Sequence, residues 1–321
     1  MSDRSINVSV IEPIGPAVER VKVMLFRPFD IGRWFVIGFC AWLAYLGKGG
    51  GPNLNFSGRP EWRTAGHELE AAKEFIIANM FWIAPLAVAA AVASVAVMLL
   101  VTWLSSRGRF MLLHCVAEDK AEVKIPWRKF KDQANSLFLF RIVLGLIGFA
   151  TIALPVLLGI FFFVFAAVSR QILMFVCGLV MLTLIVLLAA IAFGIVGLFT
   201  MDFVVPIMFM RRCSCIAAWR EFLGLLSANK GRFILYVLFQ IFLAVIIGMI
   251  VIAGACLTCC CCCCACCVLA LPYIGTVALL PIFVFDRAYS LCYLRQYGPQ
   301  FDVFGVPVEG PPVKLGAKYS E

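Results

Sequence analysis

The sequence predicts an all-α, polytopic membrane protein with six transmembrane helices and amphipathic helices at the cytoplasmic interface. The 321-residue chain is 63% apolar and 14% charged, whereas a soluble domain is roughly 45–50% apolar. Its mean hydropathy is +1.01. The apolar residues are grouped into segments that approach or reach the length needed to cross a bilayer. These segments lie at residues 34–46, 75–104, 142–168, 172–201, 233–257 and 268–285.

The distribution of lysine and arginine predicts the orientation of the spans. With the N-terminus inside, 22 of the 27 Lys and Arg residues lie on the cytoplasmic side. Positive charge is retained on that side of a membrane, so the count favours cytoplasmic N- and C-termini. The first segment, 34–46, is short, and it either spans by recruiting residues 31–33 or is re-entrant. No cleavable signal peptide is predicted. The expected location is a bacterial inner (plasma) membrane.

The chain divides into three parts on these grounds. Residues 1–33 form a cytoplasmic N-terminal segment that contains an interfacial helix, and residues 34–295 form the six-span bundle. Residues 296–321 are rich in Gly and Pro, which predicts a disordered cytoplasmic tail. On the outer side, only the loop at 47–74 is long enough to protrude.

Amphipathic segments precede the odd-numbered spans. In residues 14–25, apolar side chains recur at helical spacing, and residues 127–138 and 216–226 repeat the pattern. The last two share the motif W-R-x-F, 92 residues apart, which suggests three units of one amphipathic helix and two spans. We expect these helices to lie in the headgroup layer. The predicted interfacial anchors are Trp127, Arg128 and Phe130, and Trp219, Arg220 and Phe222.

Nine cysteines fall within the twelve residues CLTCCCCCCACC, from Cys256 to Cys267. On a helix, two sets of three would each share a face, as a soft-metal thiolate site requires. Disulfides, lipid attachment and plain apolar packing are the alternatives. No charged residue lies between Phe233 and Phe285, which favours buried, protonated thiols. The candidate metal ligands are Cys259, Cys263 and Cys266, and Cys260, Cys264 and Cys267.

Few other residues suggest chemistry. The chain has two histidines, His67 and His114, and it lacks the phosphate-binding and nucleophile motifs of common enzymes. No catalytic residue and no cofactor are predicted. Within the spans Gln240 is the polar residue of most interest, and we expect its amide to hydrogen-bond to a neighbouring helix. The charged residues at the span ends are expected to reach out to the interface, where their charge costs little. They are Arg141, Asp202, Asp286 and Arg287.

Three short motifs carry a family resemblance. Asp202-Phe-Val-Val-Pro-Ile, Ala217-Ala-Trp-Arg-Glu-Phe222 and Asn229-Lys-Gly-Arg-Phe-Ile234 follow one another within residues 202–245. This pattern resembles that of uncharacterised bacterial multipass proteins similar to the membrane domain of some glycerophosphodiester phosphodiesterases. The resemblance implies about six helices and a bacterial inner membrane. It implies no phosphodiesterase activity, because the soluble catalytic barrel has no counterpart in this chain.

The function expected from these observations is that of a non-enzymatic scaffold or accessory protein in envelope assembly, lipid organisation or secretion. One alternative is a transporter or permease of a small apolar or lipid-like substrate, which would require a polar-lined cavity among the spans. Another is a thiol redox or soft-metal protein that uses the cysteine run. Anionic membrane lipids are the expected partners of the basic surface. A membrane-protein partner or a second copy of the chain would also fit, whereas nucleic acid would not.

Replacement of Cys259–Cys264 by alanine tests the cysteine hypotheses. We expect unchanged metal content and an unchanged cellular phenotype, because alanine is also small and apolar. Metal content is measured by elemental analysis of the purified full-length protein. The same replacement by serine is the matched comparison. Loss of bound metal or of the phenotype in both variants would establish a functional thiol site.

Overall fold

A computed structural model describes residues 8–46, 77–168, 172–261 and 271–305. Every regular element in these ranges is helical, which confirms the predicted all-α class. The first helices are α1 (Ile14–Phe26), α2 (Ile31–Tyr45), α3 (Met80–Glu118), α4 (Lys124–Lys129) and α5 (Lys131–Val168). They are followed by α6 (Ile172–Phe199), a π-helical turn (Thr200–Val204), α7 (Val205–Arg211) and α8 (Cys215–Ala228). The last are α9 (Lys230–Cys261), α10 (Pro272–Ala278), α11 (Leu280–Arg295) and a 3-10 turn (Pro299–Phe301).

Four of the helices are long and apolar enough to cross a membrane, so the chain is a membrane protein. The most apolar stretches of these helices are almost entirely exposed on the protein surface. A surface of that composition is stable when lipid covers it. The four segments are Met80–Glu118, Lys131–Phe163, Val176–Arg211 and Lys230–Gly254.

The remaining two predicted spans have a different form. Helix α2 has only 15 residues. The segment predicted as one span at 268–285 is broken in the structure, because α10 ends at Ala278 and α11 begins at Leu280, just before Pro281. Proline lacks the N–H that would continue the hydrogen-bond ladder. The last predicted span therefore contains a discontinuity within its described part.

The tightly packed core lies at one end of the bundle, not between the middles of the spans. Helix α3 continues beyond the predicted boundary at 104, and all its residues from Ser105 to Ala117 are buried. The chain from Thr200 to Phe209 is buried almost as completely, as is most of α11. Stacked aromatic rings join these elements, with centroids 4.6 Å apart for Phe130 and Phe209 and 5.2 Å apart for Phe203 and Phe222.

The amphipathic segments turn their apolar faces into this core. In α1 the buried residues are Ala17, Val21, Met24 and Leu25, which is the stripe seen in the sequence. Helix α1 packs on α11, α4 packs on the end of α3, and α8 packs on the π-turn and α7. Each segment thus covers the end of an even-numbered predicted span, and α1 joins the N-terminal part of the chain to the last helix.

The predicted start of the C-terminal tail needs correction. Residues 296–321 are predicted to be a disordered tail, but Tyr297, Phe301 and Val303 are buried in the core. The side-chain amide of Gln296 exchanges hydrogen bonds with the backbone of Ser9, at 2.8 and 2.9 Å, which fixes this segment to the N-terminal one. Residues 306–321, the loop at 47–74, residues 262–267 of the cysteine run and residues 268–270 of the last predicted span lie outside the described residues.

Gly108 permits the close approach of α3 and α2. A Cβ atom added there would lie 2.5 Å from the backbone nitrogen of Ala44 and 2.5 Å from the carbonyl carbon of Leu43. Backbone atoms cannot rotate away as a flexible side chain can. A residue with any side chain at 108 would therefore separate the two helices.

Substitution Gly108→Ala is expected to lower the free energy of unfolding by about 1–3 kcal/mol, because overpacking outweighs the better helix propensity of alanine. The matched control is Gly248→Ala in α9, where nothing lies within 4 Å of the added Cβ. The control should be neutral or stabilising. Unfolding in detergent micelles measures both effects. Equal stability of the two variants would show that α2 and α3 do not meet at Gly108.

Candidate functional site

Charged residues from the ends of three helical segments converge inside the core. Arg109 comes from α3, Asp202 from the π-turn, and Asp286 and Arg287 from α11. Only 4% of Arg109 is exposed, and 7% each of Asp202 and Arg287. A buried charge is expensive in a membrane protein and usually marks a functional position. This cluster is the candidate site.

The secondary structure of two elements places these side chains. Asp202 lies in the five-residue π-turn, which interrupts the helix between α6 and α7. Such turns insert an extra residue and change the direction of the following side chains, and they occur often at functional sites. Asp286 and Arg287 lie in the second turn of α11, after the break before Pro281.

A chain of hydrogen bonds joins α9 to the π-turn. The Tyr236 hydroxyl donates to Asp202 Oδ2 at 3.0 Å, and Gln240 Nε2 donates to the Tyr236 hydroxyl oxygen at 2.9 Å. The amide of Gln240 therefore bonds within its own helix and reaches the neighbouring element through the phenol. On the other side of the cluster, the Tyr45 hydroxyl donates to Asp286 Oδ2 at 3.3 Å.

The two arginines are held by groups of neighbouring elements. Arg109 Nε donates to the Ala44 carbonyl at 3.3 Å, and its Nη1 contacts Met201 Sδ. Arg287 Nη1 donates to the Met201 carbonyl at 2.6 Å. These contacts fix both guanidinium groups, and the charge of Arg109 interacts favourably with that of Asp202 in the same cavity lining. The site is thus rigid and bears charges of both signs.

These residues enclose a cavity of about 180 Å³. Several water molecules or a small polar group would fit in this volume. The cavity lies between elements from the beginning, middle and end of the described chain. Its polar lining consists of Tyr45, Arg109, Asp202, Gln240, Asp286 and Arg287.

A second, apolar crevice adjoins the first cavity between α5 and α6. It has a volume of about 340 Å³, and Arg109 and Met201 line both spaces. Its other charged lining residue is Arg141. The side chain of Arg109 therefore borders both the polar cavity and a crevice between two membrane-length helices.

Asp202 and Arg287 are predicted to reach out to the membrane interface, and this prediction is wrong. Both are buried in protein, because the charged end of the bundle is covered by the amphipathic segments and α11. Arg109, Tyr45 and Tyr236 were not predicted as site residues. Arg109 was missed because the apolar pattern ends at residue 104, although the helix continues to Glu118.

The predicted interfacial anchors separate into two groups. Arg128 and Arg220 are exposed, whereas 1% of Phe130 and none of Phe222 is accessible. Trp127 is partly buried, and its ring stacks on the Arg107 guanidinium at 4.7 Å. Trp219 contacts Phe222 edge to face. The structure thus places both phenylalanines in the protein core instead of the headgroup layer.

The cysteine predictions concern a region of which the structure describes little. Cys263, Cys264, Cys266 and Cys267 lie outside the described residues, as do the side chains of Cys259 and Cys260. Elsewhere, burial and the neighbouring Cys213 raise the pKa of the Cys215 thiol to about 12, so it is protonated at neutral pH. The described part of the chain contains no cluster of His, Cys, Asp or Glu that would hold a metal.

A known family covers most of the chain. A family model described as a family of unknown function, DUF7544, matches residues 8–280. The chain belongs to this family. The match includes Arg109, Asp202 and Gln240 but ends before Asp286. No curated protein and no solved structure matches the sequence.

Substitution Tyr236→Phe removes the hydroxyl that joins Gln240 to Asp202 but keeps the buried ring. We expect the free energy of unfolding to fall by about 1–3 kcal/mol, because the buried carboxylate loses a donor. The control is Tyr273→Phe, which removes the hydrogen bond to the exposed Phe35 carbonyl and should cost about 1 kcal/mol or less. Denaturant unfolding in micelles compares them. Equal losses would show that the Tyr236 bond contributes no more than an exposed one.

Proposed function

We propose that the protein is a transporter or permease of a small lipid-like substrate, with the charged cavity as the site for the polar end of that substrate. The observation that carries this proposal is the convergence of Arg109, Asp202, Asp286 and Arg287 around an enclosed space. A transporter requires a polar-lined cavity, whereas a scaffold does not. Holding four ionisable groups inside a membrane protein is costly, and substrate recognition gives a reason for that cost.

Two features of the helices support the same proposal. The last predicted span is discontinuous at Leu279, and the π-turn interrupts the helix beside Asp202. Interrupted helices at a binding site are common in membrane transporters, because the interruption frees backbone groups and permits local movement. The adjoining crevice between α5 and α6 provides an apolar space for the remainder of a lipid-like molecule.

The proposed setting is a bacterial inner membrane, with six spans and both termini in the cytoplasm. The excess of Lys and Arg on one side supports this orientation. The charged cavity would then lie near the cytoplasmic leaflet, where anionic lipid is also an expected partner. The motifs within 202–245 support shared ancestry with the membrane domains attached to glycerophosphodiester phosphodiesterases. The scaffold or accessory role stays a prediction. It would not explain why the protein contains a polar-lined cavity.

Reconstitution of the full-length protein into liposomes tests the transport function. The liposomes contain phosphatidylcholine, phosphatidylglycerol and a trace of fluorescent phosphatidylglycerol, whose transfer between leaflets is followed by quenching with dithionite. The protein should accelerate transfer relative to protein-free liposomes. The variants Asp202→Asn and Arg287→Gln should slow it by about 10- to 100-fold, because each loses a charged hydrogen-bonding group of the cavity.

The matched control is Arg220→Gln, which changes an exposed arginine of α8 and should leave the rate unchanged. Circular dichroism and size-exclusion chromatography confirm that each variant is folded before reconstitution. Transfer no faster than in protein-free liposomes would overturn the proposal and favour the scaffold or accessory role.

A further inference from the structure

The crevice between α5 and α6 has one charged end and one apolar end. Its walls are formed by apolar and glycine residues, including Gly145, Gly148 and Ile152 of α5 and Phe193 of α6. Arg109 and Arg141 lie at the end nearest the charged cavity. The volume of about 340 Å³ is within the range of small-molecule sites, roughly 300–1,000 Å³.

Glycine keeps this crevice open. A Cβ atom added at Gly145 or Gly197 would meet no other atom within 4 Å, so each glycine borders empty space. Along α5 the lining extends from Arg141 to Ile152, which corresponds to about 16 Å of helix. Both walls belong to membrane-length helices. The crevice is long and narrow, and its apolar walls suit a hydrocarbon chain.

Both charged residues that line this end of the crevice are arginines. Arg141 is held through Nη1, which donates to Ser106 Oγ at 3.1 Å and to the Thr102 carbonyl at 3.3 Å. No carboxylate of the described residues lines the crevice. Arg109 and Arg141 also repel each other. An anion between them would relieve both the repulsion and the loss of hydration.

We propose that this crevice binds one anionic phospholipid, with its phosphate between Arg109 and Arg141 and one acyl chain between α5 and α6. Arginine recognises phosphate through paired N–H donors, and the apolar walls recognise the chain. Asp202 and Asp286 line the first cavity, so within the polar end of the lipid that cavity would hold the uncharged glycerol part of the headgroup, and the phosphate would lie at the crevice. This assignment rests on the proposed function, because it names the class of substrate that would be transported. Lipid binding is nevertheless measured separately from transport.

Native mass spectrometry of the full-length protein in mild detergent tests the assignment. The probes are phosphatidylglycerol and phosphatidylcholine, each titrated alone. We expect one tightly bound phosphatidylglycerol, and about tenfold weaker binding of the zwitterionic lipid. Arg141→Gln should weaken phosphatidylglycerol binding by about tenfold or more, because a charge-assisted bond to phosphate is lost. The control Lys131→Gln changes an exposed lysine at the start of the same helix and should bind as the unchanged protein does.

A second variant tests the binding of the acyl chain separately from the binding of the headgroup. Gly145→Phe places a ring in the open crevice and leaves both arginines in place, so it should abolish tight binding of phosphatidylglycerol. Inorganic phosphate, added as a competitor, should displace the lipid only weakly because it lacks the chain. Unchanged lipid binding by Gly145→Phe, or complete displacement by phosphate at matched concentration, would overturn the proposal. Equal affinity for the two lipids would overturn it as well.

The two proposals fail separately. Lipid binding without transfer between leaflets would retain this site and reject the transport function. Transfer between leaflets that persists in Arg141→Gln, together with absent lipid binding, would reject this site and retain the transport function. The folded state of both crevice variants is checked by their unfolding transition in the same detergent.

Discussion

The structure depends on the burial of three ionisable side chains, beside the half-buried Asp286, at one end of the helical bundle. Arg109, Asp202 and Arg287 are each less than 10% exposed, and removing such groups from water costs several kcal/mol per charge unless other groups compensate. Compensation is provided by residues from α2, the π-turn and α9. The cluster therefore constrains the positions of helices that are distant in sequence, because moving any one of them would leave a charge without its partners.

The aromatic core packs around this cluster. Phe203 follows Asp202 and stacks on Phe222, whereas Phe110 follows Arg109 and stacks on Phe130 at 5.9 Å. The charged residue and the following ring occupy matching places at the ends of α3 and α6. In both, the ring that covers the stack comes from a W-R-x-F segment. In each place a charged residue of the cluster and a stacked ring of the core are therefore neighbours in the sequence. This arrangement agrees with the repeat suggested by the W-R-x-F motif.

This arrangement divides the molecule into two regions with different roles. The long apolar segments present an exposed surface suited to lipid, and they leave crevices such as that between α5 and α6. The packed end holds the helices together and contains the polar cavity. Arg109 belongs to both the cavity and the crevice. A lipid-like molecule with its polar end at this residue would contact both regions at once, which links the proposed function to the architecture.

The sequence by itself determined the helical class, the membrane setting and the apolar stripe of α1, because these properties follow from hydropathy and from periodicity along a single segment. It also singled out Gln240 as the polar residue of most interest within the spans. Only the tertiary structure decided that Arg109, Asp202, Asp286 and Arg287 meet, and that Phe130 and Phe222 turn away from lipid. Hydropathy does not distinguish a charge at a membrane surface from a charge buried beneath amphipathic helices. That distinction depends on contacts between different helices, such as those of Asp202 with Tyr236 and of Arg287 with Met201, which local sequence patterns do not record.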